Sequence, residues 1–211
     1  MPLMSRRGWL AASAILPAAG AVIALRSEAE FRKPASAQEV VRERYFPNVL
    51  LTTHEGKQVR FYDDLIKGKT VVINVMFASC NDACPLITAN LTRVQELLGD
   101  RMGRDLFFYS ITIDPEHDTP EILDLYAKSY GVGPGWLFLT GKPDDIELLR
   151  QKLGYVDPNP ELDQDKRLHS GMLRYGNEPL SQWASCQGGA NPEWIAESIS
   201  WVLPKANRSN G

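Results

Sequence analysis

The sequence predicts an α/β fold with a central mixed sheet and helices on both faces. Apolar, β-branched runs alternate with segments of helical period along most of the chain. The run TVVINVMF at 70–77 is almost free of polar residues, which is typical of a strand covered on both faces. A length of 211 residues and 44% apolar content suit one globular domain plus an appendage.

The first half of the domain is expected to open with a hairpin and to continue with a strand and a helix. Gly56 in HEGK suits the hairpin turn. In the helix, Ile87 and Leu91 share one apolar face, and Gly99 is the expected terminator. The expected elements are, in order, strands 49–53, 58–61 and 70–77 and a helix over 85–98.

The second half continues the alternation and ends with an antiparallel pair of strands. Asp118-Thr119-Pro120-Glu121 supplies a cap, a first-turn proline and a first-turn acid for one helix, and Gly176-Asn177 is the expected turn between the last two strands. The expected elements are strand 106–114, a helix to about residue 130, strand 136–140, helix 143–153, the strands HSGMLRY and PLSQWAS, and a helix from Asn191.

This order fits a thioredoxin-like sandwich with an N-terminal hairpin. The main alternative is a doubly wound nucleotide-binding fold. It lacks support in the sequence, because neither a glycine-rich dinucleotide fingerprint nor a phosphate-cradling loop follows any expected strand.

The amino terminus predicts export. Residues 1–37 read as an export signal or N-terminal anchor with a short linker, and residues 38–211 as the folded domain. Arg6 and Arg7 precede the uncharged stretch 8–25, and SRRGWL resembles a twin-arginine signal, although two arginines also suit an ordinary signal. The domain is therefore expected to be exported and periplasmic, and an uncleaved stretch 8–25 would tether it to the inner membrane.

The net charge of the chain and its distribution limit which kinds of partner are expected. The net charge is −3, and no basic stripe is present, so a nucleic-acid partner is not expected. Contact with the membrane is expected through the N-terminal segment alone.

Two of the three cysteines lie four residues apart in CNDACP, where a strand gives way to a helix. On a helix such side chains are neighbours, with β-carbons about 5–6 Å apart. Cys80 and Cys84 are therefore placed either to close a disulfide, which tolerates α-carbon separations of about 4.4–6.8 Å, or to chelate one metal ion. The helix amino terminus is expected to favour their thiolates.

A histidine is expected opposite this pair. Thioredoxin-like exchange enzymes carry a cis-proline there, whereas this chain has RLHS at 167–170, with His169 in that place. Two thiolates and one imidazole are soft ligands that select Cu(I) and also allow Cu(II). Zinc would usually need a fourth ligand, and magnesium prefers oxygen. Ligand chemistry therefore points to copper.

The remaining titratable candidates are expected to be structural. His54 and His117 are expected on the solvated surface, and Asp114 in a turn with Pro115, with a hydrogen bond to the site as its alternative role. Cys186 is expected to be a quiet buried thiol, while a reactive thiol or an intermolecular bridge stays open.

Four blocks give the chain a family resemblance. CNDACP, SITIDPEHDTPEIL, FLTGKPDDIELL and HS at 169–170 occur in the order found in the Sco/SenC family of thioredoxin-like copper metallochaperones, over roughly residues 45–203. The resemblance implies that Cys80, Cys84 and His169 bind copper and that the recipient is the CuA site of cytochrome c oxidase subunit II. The chain departs from the family pattern in RYGNEPLSQW, where an aspartate-proline-glycine hairpin is usual, and in its third cysteine.

Three functions follow as hypotheses. The first is a metallochaperone rather than an enzyme: it delivers copper to an oxidase subunit or a similar recipient, and a thioredoxin-like reductant keeps Cys80 and Cys84 reduced. The second is a dedicated thiol–disulfide oxidoreductase that keeps the cysteines of a partner's CuA site reduced. The third is a thiol peroxidase acting through Cys80, which is disfavoured because no PxxxTxxC stretch precedes that residue.

Overall fold

The computed structural model describes residues 37–165 and 171–204. The strands are β1 (Leu50–Thr53), β2 (Gln58–Arg60), β3 (Thr70–Met76), β4 (Phe107–Thr112), β5 (Trp136–Gly141), β6 (Met172–Asn177) and β7 (Gln182–Gln187). The helices are α1 (Ala37–Tyr45), α2 (Ala83–Leu98), α3 (Pro120–Ser129), α4 (Pro143–Lys152), α5 (Pro160–Asp163) and α6 (Pro192–Ser200), with a π-helical turn at Phe61–Ile66 and a 3₁₀ turn at Gly99–Arg101.

The seven strands form one mixed sheet in the order β2-β1-β5-β4-β3-β6-β7. β4 is parallel to both β3 and β5, while β1 and β6 are antiparallel to their inner neighbours. The mixed central sheet and the N-terminal hairpin expected from the sequence are confirmed.

Apolar layers cover both faces of the sheet. α2, α3 and α6 pack on one face, and α4 packs with the π-helical turn on the other. Side chains of β3 alternate between these layers, with Val72 in the first and Val71 and Ile73 in the second. The expectation of helices on both faces is therefore confirmed, and it explains why β3 needs apolar residues at successive positions.

Helix α2 begins earlier than its periodicity indicates. Its first residue is Ala83, so Cys84 lies inside the first turn rather than before it. Gly99 follows the last residue of α2 with a φ of 49°, a conformation that favours glycine, which confirms it as the terminator. α1 and α5 are short helices that the sequence analysis did not predict.

The expected turn at Gly176-Asn177 is wrong. Both residues belong to β6, paired with Trp183 and Gln182, and the chain reverses at residues 178–181 instead. Gly176 is required because the Trp183 ring lies over it, and Asn177 accepts a hydrogen bond from the Leu180 amide at 3.2 Å. Here glycine serves cross-strand packing rather than a turn.

In the part of the chain that the structure describes, no helix combines the length and apolar character needed to cross a bilayer. The predicted export segment, residues 1–37, lies outside the described residues except for its last position. It stays a prediction.

Replacing Gly176 by alanine should destabilise the domain. An added β-carbon would stand 2.3 Å from Cε3 of Trp183 and 2.5 Å from the Gln182 carbonyl oxygen, so the strand pair must shift. Overpacking of this kind costs about 1–3 kcal/mol of the free energy of unfolding, which urea denaturation measures. Gly189→Ala is the matched control, because its nearest neighbour would be Cδ2 of Leu86 at 4.0 Å. Equal stability of both variants would contradict the packing argument.

Candidate metal centre

The cysteine loop leaves the sheet at the carboxyl end of β3. β3 ends at Met76, a turn follows, and the Cys80 amide donates a hydrogen bond to the Phe77 carbonyl at 3.2 Å. β3 and β4 are parallel, so the loops that follow them share one rim of the sheet, where ligands of open α/β sheets gather. The structure thus places Cys80 in the loop and Cys84 in the first turn of α2.

The thiols of Cys80 and Cys84 are buried and hydrogen-bonded to each other. Cys80 is 7% exposed and Cys84 is 9% exposed, and both are free. They belong to the apolar cluster that contains Ile87 and Leu91, which confirms that Cys84 continues the apolar stripe of α2 towards the sheet. Two adjacent sulfur atoms at a strand end form the core of a soft-metal site or of a reversible disulfide.

The expected thiolate at the helix start is wrong for Cys84. Burial, and after it the hydrogen bond with Cys80, raise the pKa of its thiol to about 12. The backbone amides of Phe77 and of Cys84 itself lower this pKa, but by less. Loss of water around the charged form therefore outweighs the helix terminus, and metal-free Cys84 is protonated at neutral pH.

Asp118 holds the cysteine loop, a role that sequence reasoning missed. Its carboxylate oxygen Oδ2 accepts a hydrogen bond from the Ala78 amide at 3.0 Å and another from Oγ1 of Thr112 at 2.5 Å. Asp118 is 2% exposed, and burial raises the pKa of its carboxyl. Within the predicted capping stretch 118–121, the N-cap of α3 is Thr119, whose side chain accepts a hydrogen bond from the Ile122 amide.

A second missed contact fixes α2 one turn beyond Cys84. Oγ1 of Thr88 and the hydroxyl of Tyr126 lie 3.0 Å apart, which links α2 to α3. Thr88 is buried, and the Tyr126 ring packs edge-on against Phe138 of β5. The helix that carries Cys84 is therefore held by a neighbouring helix as well as by the sheet.

The two described histidines differ from each other. His117 is exposed, as expected, with Nδ1 3.0 Å from Oδ1 of Asp114, so the structure pairs Asp114 with His117. The expectation of a solvated His54 is wrong. His54 is half-buried, and its Nδ1 accepts a hydrogen bond from the Phe138 amide at 3.1 Å because the end of β1 runs beside β5.

His169 lies outside the described residues, and so does the rest of segment 166–170. The chain resumes at Gly171, where an added β-carbon would stand 2.8 Å from Cδ1 of Ile87. Gly171 therefore packs against α2 one turn beyond Cys84. Among residues 37–165 and 171–204, no three His, Cys, Asp or Glu side chains are grouped to hold a metal ion.

Cys186 lies in the core, as expected for a quiet thiol. It pairs with Leu173 across β6 and β7 and is 5% exposed. Burial raises the pKa of its thiol to about 11. It is a free cysteine that packs as a small apolar residue.

Comparisons with known proteins agree on one family. The SCO1/SenC family model matches residues 39–202. The SCO2-like protein of Rickettsia prowazekii is 34% identical over 92 residues, which are 44% of this chain and 43% of the relative. The matched segments span less than two thirds of the length of this and other curated relatives.

Solved structures confirm the thioredoxin-like sandwich. ScoI of Bradyrhizobium japonicum with copper bound aligns with a TM-score of 0.59 and 24% identity, over 73% of this chain and 96% of that one. BsSco, described as a member of the Sco family of cytochrome c oxidase assembly proteins with a disulfide switch, aligns with a TM-score of 0.59 and 25% identity, over 73% of this chain and 90% of that one.

Removal of the Asp118 side chain should loosen the cysteine loop. Asp118→Ala leaves the Ala78 amide and the Thr112 hydroxyl without their acceptor, which should cost about 1–3 kcal/mol of the free energy of unfolding. Asp118→Asn should be close to wild type, because both bonds end on one oxygen that an amide can supply. Denaturant unfolding and the rate of disulfide formation between Cys80 and Cys84 measure the effect. Equal losses in both variants would show that the charge, not the hydrogen bonds, matters.

Alkylation should report the raised pKa of Cys84. In the metal-free protein, its rate with iodoacetamide should rise about tenfold per pH unit between about pH 8 and 11, because only the thiolate reacts. In the unfolded chain the rate should level off above about pH 9, near the ordinary pKa. Since the folded protein still binds this proton at pH values where the unfolded chain has lost it, the free energy of unfolding should fall as the pH rises from about 9 to about 12. A native plateau near pH 9, seen by peptide mass spectrometry, would contradict the burial argument.

Proposed function

Because the chain belongs to the SCO1/SenC family, we propose that it binds one copper ion through Cys80, Cys84 and His169 and delivers it to the CuA site of cytochrome c oxidase subunit II. The observation that carries the proposal is the pair of free, adjacent thiols at the carboxyl end of β3. Thiolates are the ligands that Cu(I) prefers, and an added imidazole suits Cu(II) as well.

His169 as the third ligand rests on the strand register. β3 and β6 are antiparallel, with Ile73 opposite Arg174, so the chain that precedes β6 leads towards the loop that follows β3. Gly171 then lies against Ile87, which is three residues after Cys84 on the same helix. His169 is two positions before this described anchor, and a chain spans at most about 3.3–3.6 Å per residue, so the chain length allows its imidazole to reach the thiols.

Copper binding requires the Cys84 thiol to lose its proton. Cys84 is protonated at neutral pH when no metal is bound, so binding must release its proton, and affinity should rise with pH. Asp118 keeps the loop in place while the thiols change state, because its bonds to Ala78 and Thr112 do not involve sulfur. A site of three ligands leaves room for an incoming thiolate, so copper can pass to a recipient by ligand exchange.

The relatives support the recipient, and the amino terminus of this chain supports the compartment. ScoI was solved with copper bound, and BsSco belongs to a family of cytochrome c oxidase assembly proteins. Export through residues 1–37 would place the domain in the periplasm, and an uncleaved stretch 8–25 would hold it at the inner membrane near such a recipient.

A dedicated thiol–disulfide reductase is the second candidate, favoured by the contact between the two thiols. The thiolate of Cys80 would attack a partner disulfide, and Cys84 would then displace the partner sulfur. This leaves a Cys80–Cys84 disulfide and a partner dithiol, and a thioredoxin-like reductant supplies two electrons to restore the pair. The disulfide switch of BsSco supports this chemistry.

Copper titration of the reduced domain distinguishes the two functions. We expect one Cu(I) per chain and, for His169→Ala, at least about tenfold weaker retention of Cu(II), because two thiolates alone suit Cu(I). His117→Ala is the matched control, since this exposed imidazole contacts Asp114 and should not affect copper. Chelator competition with absorption spectroscopy gives the affinities.

Two outcomes would reject the copper proposal. One is stoichiometric copper binding that survives replacement of both Cys80 and Cys84 by serine. The other is unchanged copper binding in His169→Ala together with reduction of a CuA-domain disulfide by the wild type, which would make the reductase the main function. Failure of the oxidised protein to bind copper would support the proposal, because a disulfide offers no thiolate.

A further inference from the structure

Strand β7 forms one edge of the sheet, and no strand of residues 37–165 or 171–204 pairs with its outer side. Its sequence, QWASCQ, contains no charged residue and no proline, and four of its six side chains are exposed. Natural edge strands are usually short, charged or covered, because unpaired amides and carbonyls bind other strands. The opposite edge, β2, has three residues and ends with Arg60. β7 is therefore the edge that lacks this protection.

The hydrogen-bond pattern shows which backbone groups of β7 face outwards. The Gly188 amide donates to the Gly171 carbonyl at 2.6 Å, towards β6. Pairing alternates along an antiparallel ladder, so the amides and carbonyls of Trp183 and Ser185 point away from β6. Among the described residues, no backbone hydrogen bond reaches these outward groups.

The side chains of Trp183 and Ser185 line a cleft beside this edge. The cleft holds about 360 Å³ and has an aromatic wall that includes Tyr45 and Phe46, with the Phe46 and Trp183 ring centroids 4.6 Å apart. Its charged lining residues are Lys152 and Arg174, and no carboxylate lines it among the described residues. The cleft is therefore apolar with a positive charge.

Arg174 has an unmet hydrogen-bond donor at this cleft. Its Nη2 donates to the Gly154 carbonyl at 2.8 Å, and its guanidinium lies 5.3 Å from the Tyr155 ring centroid. Its Nε is buried without a partner, alone in this respect among the buried side-chain nitrogen and oxygen atoms of the described residues. A buried donor of this kind costs free energy unless an acceptor arrives, and a carboxylate is the strongest acceptor for guanidinium.

We propose that β7 and this cleft dock an extended acidic segment of a partner protein by strand addition. Main-chain bonds to Trp183 and Ser185 would supply affinity, and a glutamate or aspartate directed into the cleft towards Arg174 and Lys152 would supply specificity. A second copy of this chain fits less well, because it would bring the same two cations to the shared edge. The docking site contains no proposed copper ligand, so the inference stands independently of the copper function.

One end of β7 also lies close to α2, the helix that carries Cys84. An added β-carbon on Gly188, directly after β7, would stand 2.8 Å from Cγ2 of Ile87. A partner strand laid along β7 would therefore have one end near the helix that carries Cys84.

Two synthetic peptides test the proposal. Each is a capped peptide of about eight residues, alternating valine and threonine, with a central glutamate in one and a lysine in the other. In amide NMR spectra of the full chain, the glutamate peptide should shift the Trp183 and Ser185 signals and slow their hydrogen exchange. The lysine peptide should bind at least about tenfold more weakly. Absence of shifts at both amides, or equal affinity for the two peptides, would overturn the proposal.

Variants of the protein distinguish the contribution of the β7 edge to peptide binding from that of the cleft. Lys152→Glu should reverse the preference between the peptides, while Lys67→Glu, an exposed lysine outside the cleft, should leave it unchanged. Ser185→Pro removes an outward amide and should abolish binding of both peptides, with denaturant unfolding used to check the fold. A reversal by Lys67→Glu would overturn the proposal. Concentration-dependent dimerisation that Ser185→Pro abolishes would also overturn it, because a second copy would then occupy the edge.

Discussion

The burial of β3 on both faces is the constraint on which the rest of the structure depends. Its side chains fill two apolar layers at once, so a slip by one residue would exchange the side chains of the two layers and disturb the packing of both. This fixes where the strand ends, and therefore where Cys80 and Cys84 emerge. The position of the thiols is thus a consequence of core packing, and the parallel neighbour β4 supplies the rim on which they sit.

The reactivity of the two thiols at this rim depends on how strongly burial disfavours the thiolate and on which polar groups hold the loop in place. The same apolar cover that brings the two sulfur atoms together disfavours the thiolate that metal binding or disulfide exchange requires. Asp118 holds the loop through backbone and hydroxyl contacts that do not involve sulfur. A soft cation would replace the lost water around the Cys84 sulfur with a strong bond, so a buried Cys84 that is protonated before the metal arrives is compatible with the copper function that we propose.

Sequence periodicity predicted the sheet, its helices and the location of the thiol pair, because these depend on local patterns and on β3. It could not predict Asp118, which contacts Ala78 forty positions earlier in the chain, or the raised pKa of Cys84, which follows from tertiary burial. The turn at Gly176-Asn177 was wrong for a related reason. Glycine was required by a ring on the next strand, and local composition does not reveal such a contact.

The close packing of Gly171 on Ile87 fixes the chain directly before β6 against α2, the helix that carries Cys84. A chain spans at most about 3.3–3.6 Å per residue, so a side chain attached two positions away stays within roughly 7 Å of backbone reach of that anchor. If His169 is the third copper ligand, as we propose, an imidazole released from the ion would therefore stay at a high local concentration and rebind quickly. Such a ligand would give way to a competing donor while the ion stays bound to the two sulfur atoms.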